Sequence, residues 1–214
     1  MNEMKTKLSK ILLKQVIKHF KTQSHYKTFV QINKKCQEVL LLFTENPISL
    51  KPSQKDLFPN ITVQNVFTED DILLSGMKKY IFHFPVSYSF SQEMKEKQIQ
   101  FKRIIYTLKD RLQLKGKIPD GVTEIGYKCF INDQIQEIIL PESVKRIQNN
   151  AFENCYCLKK IHLSQKLIEI GAEAFINCCN LIEINQPTQL SFLGYNCFKN
   201  CLRLNELLVI YDDC

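Results

Sequence analysis

The sequence predicts an α+β protein: a short solenoid of about four to five 23-residue repeats preceded by a helical N-terminal cap region. Three observations carry this prediction. Phe130, Phe152, Phe175 and Phe198 recur at intervals of 22, 23 and 23 residues, and five further apolar or small-residue columns keep the same register. The first 116 residues lack that period and instead show two amphipathic helical stripes. The chain has 214 residues, 44% hydrophobic and 24% charged, so it can bury a core without disulfides or metals.

The chain divides into a helical hairpin over 1–46, a mixed α/β linker with degenerate cap repeats over 47–111, and regular repeats over 112–214. In the hairpin, Leu8, Ile11, Leu12, Val16, Ile17 and Phe20 form the stripe of a first helix. Ser24 is the expected N-cap of a second helix. That helix presents Tyr26, Phe29, Val30, Asn33, Cys36, Val39 or Leu40, and Phe43 on one face, and Asn46-Pro47 ends it. Ser53-x-x-Asp56 is a capping signal for a third, short helix. Ile61–Val63, Tyr80–Phe84 and Arg103–Thr107 read as strands at a rough 20-residue spacing, as degenerate end repeats would.

The repeat unit reads I-x-L-P-x-x-V-x-x-I-G-x-x-A-F-x-N-C-x-x-L-x-x. Its first segment is a strand with alternate side chains inward, ended by Pro141 and Pro187. V-x-x-I is a second extended piece, and Gly126, Gly171 and Gly194 suit a sharp turn. A-F-x-N-C is long enough for one helical turn that inserts Phe into the core. One unit cannot bury its apolar face, whereas stacked units share a core.

These residues resemble the BspA-like (treponemal-type) leucine-rich repeats, in their protist form. Ile138-Ile139-Leu140-Pro141 with Val144, Ile147, Ala151, Phe152 and Cys155 carries the resemblance. So does Ile161, Leu163, Leu167, Ile170-Gly171, Ala174, Phe175 and Cys178, within a span of about 112–210. Departures sit at turns: Ser164 for Pro, Gln148 for Gly, and Asp133 where Cys recurs. The resemblance implies a leucine-rich-repeat fold and protein binding, with cell-surface adhesion in some members. The segment from Ile11 to Phe20, then Phe29-Val30-x-Ile32-Asn33-Lys34-Lys35-Cys36, resembles an F-box, without its opening Leu-Pro or a Trp after the cysteine. That implies a Skp1-type partner at residues 8–43. The other reading of the hairpin is an ordinary amphipathic cap.

Charge is uneven. Residues 1–116 hold 20 Lys and Arg against 10 acids, and 117–214 hold 9 against 12, for a net charge of +7. The basic half reads as a solvated helix surface, or as a face for an acidic partner or anionic lipid. Nucleic acid is not expected, because no aromatic-interleaved, helix-turn-helix or zinc-finger pattern accompanies the lysines. No apolar run approaches the ~20 residues that span a bilayer. The lysine-interrupted N-terminus does not read as a secretory signal. The expected location is cytoplasmic, with peripheral membrane or surface association left open by the family resemblance.

No catalyst, metal site or cofactor is expected. His19, His25, His83 and His162 show no ligand spacing, and no phosphate loop or nucleophile elbow occurs. Cys155, Cys178 and Cys201 share a repeat position with Asp133, which points to reduced, packing thiols. The residues alternating with the buried ones on the repeat strands are Glu137, Ile139, Lys160, His162, Glu183, Asn185, Glu206 and Leu208. They form two exposed rows, the candidate binding face of a non-catalytic protein-interaction module. The runner-up role is a substrate adaptor of a ubiquitin ligase, with the repeats holding the substrate. The run Leu207–Ile210 opens a further strand, whose edge is blunted by Asp212 and Asp213 or pairs with another chain.

Overall fold

Five helices and ten short strands order the described residues of the computed structural model, which are 12–32, 34–51, 56–94 and 98–204. These residues fall into two units, one within Met1–Phe84 and Met94–Lys102, the other within Pro85–Glu93 and Arg103–Cys214. Strands β2 (Lys79–Ser87) and β3 (Ile99–Tyr106) run from one into the other.

In the first unit, α1 (residues 12–17), α2 (Gln23–Ile32) and α3 (Lys34–Leu40) surround a core that includes Ile17, Tyr26, Phe29, Cys36, Val39, Leu40, Phe43 and Phe58. The expected stripe of the second helix is the buried one, Asn33 lying outside the described residues. The first stripe is rotated: Leu13, Ile17 and Phe20 turn to the core, while Leu12 and Val16 are 59% and 56% exposed. Leu8 and Ile11 lie outside the described residues. Phe20 meets both Tyr26 and Phe29 edge-on, and Phe58 meets Tyr26 and Phe43, with ring centroids 5.3–5.7 Å apart. The Tyr26 hydroxyl donates to the Ile17 carbonyl at 2.8 Å, and burial pushes its pKa up to about 12.

Two local expectations change. Thr22, not Ser24, caps α2, its hydroxyl accepting from the His25 amide at 3.5 Å, and Ser24 falls within the first turn. The helical run stops at Leu40, before Asn46-Pro47. Asn46 is instead fully buried against Asn65: its Nδ2 donates to the Asn65 carbonyl at 2.6 Å and its Oδ1 accepts the Asn65 amide at 2.7 Å. A buried amide that satisfies main-chain groups costs little, and here it extends the pairing of Glu45 with Val63. Strand β1 (Val63–Val66) then pairs in parallel with β2, Val66 opposite Phe82. Ser53 of the third-helix signal lies outside the described residues.

The second unit is a solenoid. From Glu137 on, the I-x-L segment and the V-x-x-I segment each supply a strand, whereas the coil before it supplies one from V-x-x-I alone. Strands β5 (Glu137–Ile139), β7 (Lys160–His162) and β9 (Glu183–Ile184) form one parallel sheet. The end of β3, with β4 (Glu124–Ile125), β6 (Arg146–Ile147), β8 (Glu169–Ile170) and β10 (Phe192–Leu193), forms another. The inward columns all meet in one core, where Val144, Ile147, Phe152, Leu158, Leu167, Phe175 and Leu181 are fully buried. Phe130, Phe152, Phe175 and Phe198 stack face to face at centroid distances of 4.9, 5.0 and 5.3 Å. Their separation is close to the strand spacing of about 4.8 Å, so strand pairing imposes the stack.

The third side is not a helical turn. Its amides alternate: Asn150, Phe152 and Asn154 donate to the Ala172, Ala174 and Ile176 carbonyls of the next coil. Ala151, Glu153 and Cys155 donate three residues back within their own coil. A helix would use every donor locally, so alternate bonding is what lets this side stack like a sheet. The geometry needs left-handed residues four apart, and Asn150 and Asn154 (φ 56° and 59°) have counterparts at Glu173, Asn177, Asn196 and Asn200. Gly171 and Gly194 are required by close approach rather than by a sharp turn. A Cβ on Gly194 would lie 2.2 Å from the Ala172 nitrogen.

At the N-terminal end of this unit lie α4 (Tyr88–Glu93) and α5 (Leu108–Gln113). Thr107 and Asp110 form a reciprocal capping box on α5, and the Asp110 carboxylate also accepts the Ser89 amide at 2.9 Å. Residues from Leu207 to Cys214, with the expected last strand, lie outside the described residues.

Candidate functional site

The strand alternation that buries Ile161 turns its neighbours outward, and parallel register then aligns them across coils. Glu137, Lys160 and Glu183 lie opposite one another, and Ile139 lies opposite His162. These side chains, with Asn185, line a concave groove of about 300 Å³ on the β5–β7–β9 sheet. Six of the eight residues expected from sequence therefore come together, while Glu206 and Leu208 lie outside the described residues. Ile139 is 75% exposed, unusual for a large aliphatic side chain, and His162 is exposed beside it.

Three members of the groove are already engaged. Lys160 Nζ sits 3.0 Å from Glu183, and the hydrogen bond to that carboxylate, then its charge and that of Glu137, hold the ammonium pKa above its ordinary value. Asn185 is half-buried: its Oδ1 accepts the Leu163 amide at 2.6 Å and its Nδ2 donates to the Leu163 carbonyl at 2.9 Å. Asn185 thus closes the sheet as a main-chain mimic, a role that strand alternation alone did not reveal.

The other sheet carries a ladder that the sequence reading missed. Arg103 grips Glu124 through two hydrogen bonds, 2.5 and 3.0 Å. Arg146 lies 3.5 Å from Glu124 and 3.2 Å from Glu169. Burial alone would raise the Glu124 carboxyl, but hydrogen bonds from Arg103 and Gln148 and the charges of Arg103 and Arg146 hold it below its ordinary value. Gln148, standing where Gly recurs, is there to donate to Glu124 at 3.0 Å and accept the Tyr127 amide at 2.9 Å. The signal was present as Glu124, Arg146 and Glu169 in one column of alternating sign. This ladder satisfies its own charges.

The cysteine column is occupied with packing. The Cys155, Cys178 and Cys201 thiols each donate to the main-chain carbonyl of the preceding coil's Phe130, Phe152 and Phe175, at 3.0, 3.2 and 3.1 Å. Hydrogen bonds with Cys155 and Cys201, together with burial, push the Cys178 thiol far up, and burial puts Cys129 at about 12. Asp133 replaces the thiol in the first coil because it meets Arg111 at 2.9 Å instead. His83 stacks on Phe67 and bonds Asn65 at 2.8 Å, with its pKa lowered chiefly by burial. Among the described residues, no cluster of three His, Cys, Asp or Glu is placed to hold a metal ion. No helix among them is long and apolar enough to cross a membrane.

Six copies of the BspA-type leucine-rich repeat region match residues 86–205, more than half of the chain. The chain belongs to the BspA-type leucine-rich repeat family. Leucine-rich-repeat proteins are generally protein-interaction modules, and the fold is typically a non-enzymatic scaffold. Among solved structures, the chain is similar to a leucine-rich-repeat protein of T. pallidum, at 21% identity over 72% of this chain and 69% of that one, with a TM-score of 0.43. It is also similar to a leucine-rich-repeat protein of Bacteroides ovatus, at 16% identity over 68% and 48% of the two chains, with a TM-score of 0.17. No curated protein matches the chain.

Proposed function

We propose that this chain is a non-catalytic binding module that holds a protein partner in the groove of the β5–β7–β9 sheet. The observation that supports it is the convergence of Glu137, Ile139, Lys160 and His162 on one concave, rigidly supported face. Stacked coils fix the strand main chain that carries these side chains, so little main-chain ordering entropy is lost on binding. A glutamate-to-lysine double change at Glu137 and Glu183 tests the reading. Partners recovered from extract by the full chain should be lost by this variant. They should be retained when the exposed Lys109 and Lys145, outside the groove, are reversed instead. Retention by the groove variant would sink the proposal.

A second reading assigns residues 8–43 to a Skp1-type partner, with the repeats holding a ligase substrate. The outward turn of Leu12 and Val16 favours it, because these aliphatic side chains remain half-exposed on α1. Recovery of Skp1- and cullin-type proteins that disappears with Leu12→Asp and Val16→Asp would support it. Recovery unchanged by those substitutions would dismiss it.

A further inference from the structure

The groove ends at an open strand edge. In a parallel ladder, alternate residues bond to alternate neighbours. The Gln136 carbonyl accepts the Lys160 amide at 3.2 Å, and the Leu140 amide donates to the His162 carbonyl at 2.8 Å. The main-chain groups of Glu137 and Ile139, between them, therefore point away from β7. Among the described residues, none outside the β5–β7 ladder bonds to them. The preceding coil supplies no strand at this level. The 22-residue period aligns residues 115–117 with 137–139, but Lys115 and Gly116 have φ of 51° and 81°, which no strand accommodates. The core thins there too: Ile135 and Ile138 are half-buried, whereas their counterparts Leu158 and Ile161 are 0% and 3% exposed. The side chains beside this edge have a definite chemistry. Lys160 is held by Glu183, which leaves the row with two carboxylates for one ammonium and Glu137 at its open end. Ile139, two residues on, offers a bare aliphatic surface.

Resting on the reading of this sheet as the binding face, we infer that the partner supplies an extended segment that adds to β5 as a further strand. The segment pairs with the main chain of Glu137 and Ile139. It sets a Lys or Arg against Glu137 and an aliphatic side chain against Ile139, and turns an intervening aliphatic residue toward Ile138. Strand addition fits an edge whose donors and acceptors are already aligned, with side-chain pairs setting specificity.

The test uses the full chain and a fluorescein-labelled, end-blocked nonapeptide of polar residues around a central Lys-Val-Val, read by anisotropy. A second peptide is N-methylated at alternate main-chain nitrogens. Ile139→Pro removes an N–H that the β5–β7 ladder does not use, whereas Ile139→Ala removes only the side chain. The expected result is binding that weakens a few-fold in Ile139→Ala. It should fall by at least roughly tenfold in Ile139→Pro, in Glu137→Lys and with the N-methylated peptide. Should Ile139→Pro misfold by circular dichroism, the methylated peptide against the native chain decides alone. No binding, or equal binding of methylated and unmethylated peptides, overturns the inference. Binding that survives Ile139→Pro and methylation but is lost with Glu137→Lys and Glu183→Lys means that side chains of the face suffice. That result refutes strand addition and leaves the proposed function standing.

Discussion

Replacing Phe152 by Ala tests the idea that the aromatic stack is the spine of the solenoid. Phe152 is fully buried, with Phe130 at 4.9 Å on one side and Phe175 at 5.0 Å on the other. Truncation removes a ring from a site where paired strands on both sides limit collapse, and such changes cost about 3–5 kcal/mol. Phe198 belongs to the same column, but it is half-buried and Phe175 is its described stacking partner, at 5.3 Å. Its truncation should cost about 1–2 kcal/mol, because part of the ring is already hydrated. Urea unfolding followed by circular dichroism reads both. With a slope of about 2 kcal/mol/M, the Phe152 variant should lose roughly 1.5–2.5 M in midpoint and the Phe198 variant under about 1 M. An unchanged slope would confirm that the difference is stability and not loss of cooperativity, to which repeat arrays are prone. Equal losses at the two positions, or a loss at Phe152 below about 1 kcal/mol, would refute a stack whose strength depends on having neighbours on both sides.

Other outcomes follow from the same geometry. Asn177 bridges Asn154 at 2.8 Å and Asn200 at 2.7 Å with a φ of 63°. Asn177→Gly should therefore cost about 1 kcal/mol less than Asn177→Ala by thermal melting, and the reverse order would deny the left-handed requirement. Glu124→Ala leaves Arg103 without its carboxylate and Arg146 with Glu169 alone. Because both arginines stay partly hydrated, it should cost about 2 kcal/mol in urea, more than Glu183→Ala on the exposed row. Glu124 and Asp110 both have folded pKa values below their unfolded ones. Their contribution is complete above the unfolded values, near pH 4, and is lost as pH falls through the folded ones. The urea midpoint of the native chain should therefore drop below about pH 4. A Glu124→Gln midpoint that tracks the native one at every pH would remove Glu124 from that account. Maleimide should modify the half-exposed Cys157 and Cys179 in the folded chain and spare Cys155, Cys178 and Cys201. Mass-mapped labelling of that buried column without unfolding would contradict its packing role.

The repeats were legible because a solenoid writes each core position several times. Phe152, Ile147 and Leu158 could be placed inward by counting, and strand alternation then placed Glu137, Ile139, Lys160 and His162 outward on one face. What escaped lay in features with no apolar period. Of the two left-handed columns, that of Asn154 was visible only as a recurring Asn, which does not distinguish a stacked turn from a helix end, and that of Asn150, which includes Lys128 and Glu173, carried no residue signal. Glu124 and Arg146 occupy strand positions that are outward by alternation. Only the approach of Arg103 and Gln148 shows that Glu124 is buried. In the first unit, a short helical stripe fits more than one rotation, and tertiary packing chose Leu13 over Leu12. Asn46 looked like a helix stop because Asn-Pro usually is one. Its pairing with Asn65, 19 residues away, is not a local signal.

The most direct test of the binding face is photo-crosslinking from within it. A benzophenone amino acid at His162, in the groove, is compared with one at Tyr127, which is 59% exposed on a turn outside it. After irradiation in extract, position 162 should give discrete protein adducts that are competed away by unlabelled native chain, and position 127 none of these. Adducts from 127 alone, or the same adducts from both, would contradict the assignment of the groove as the site where this chain meets its partner.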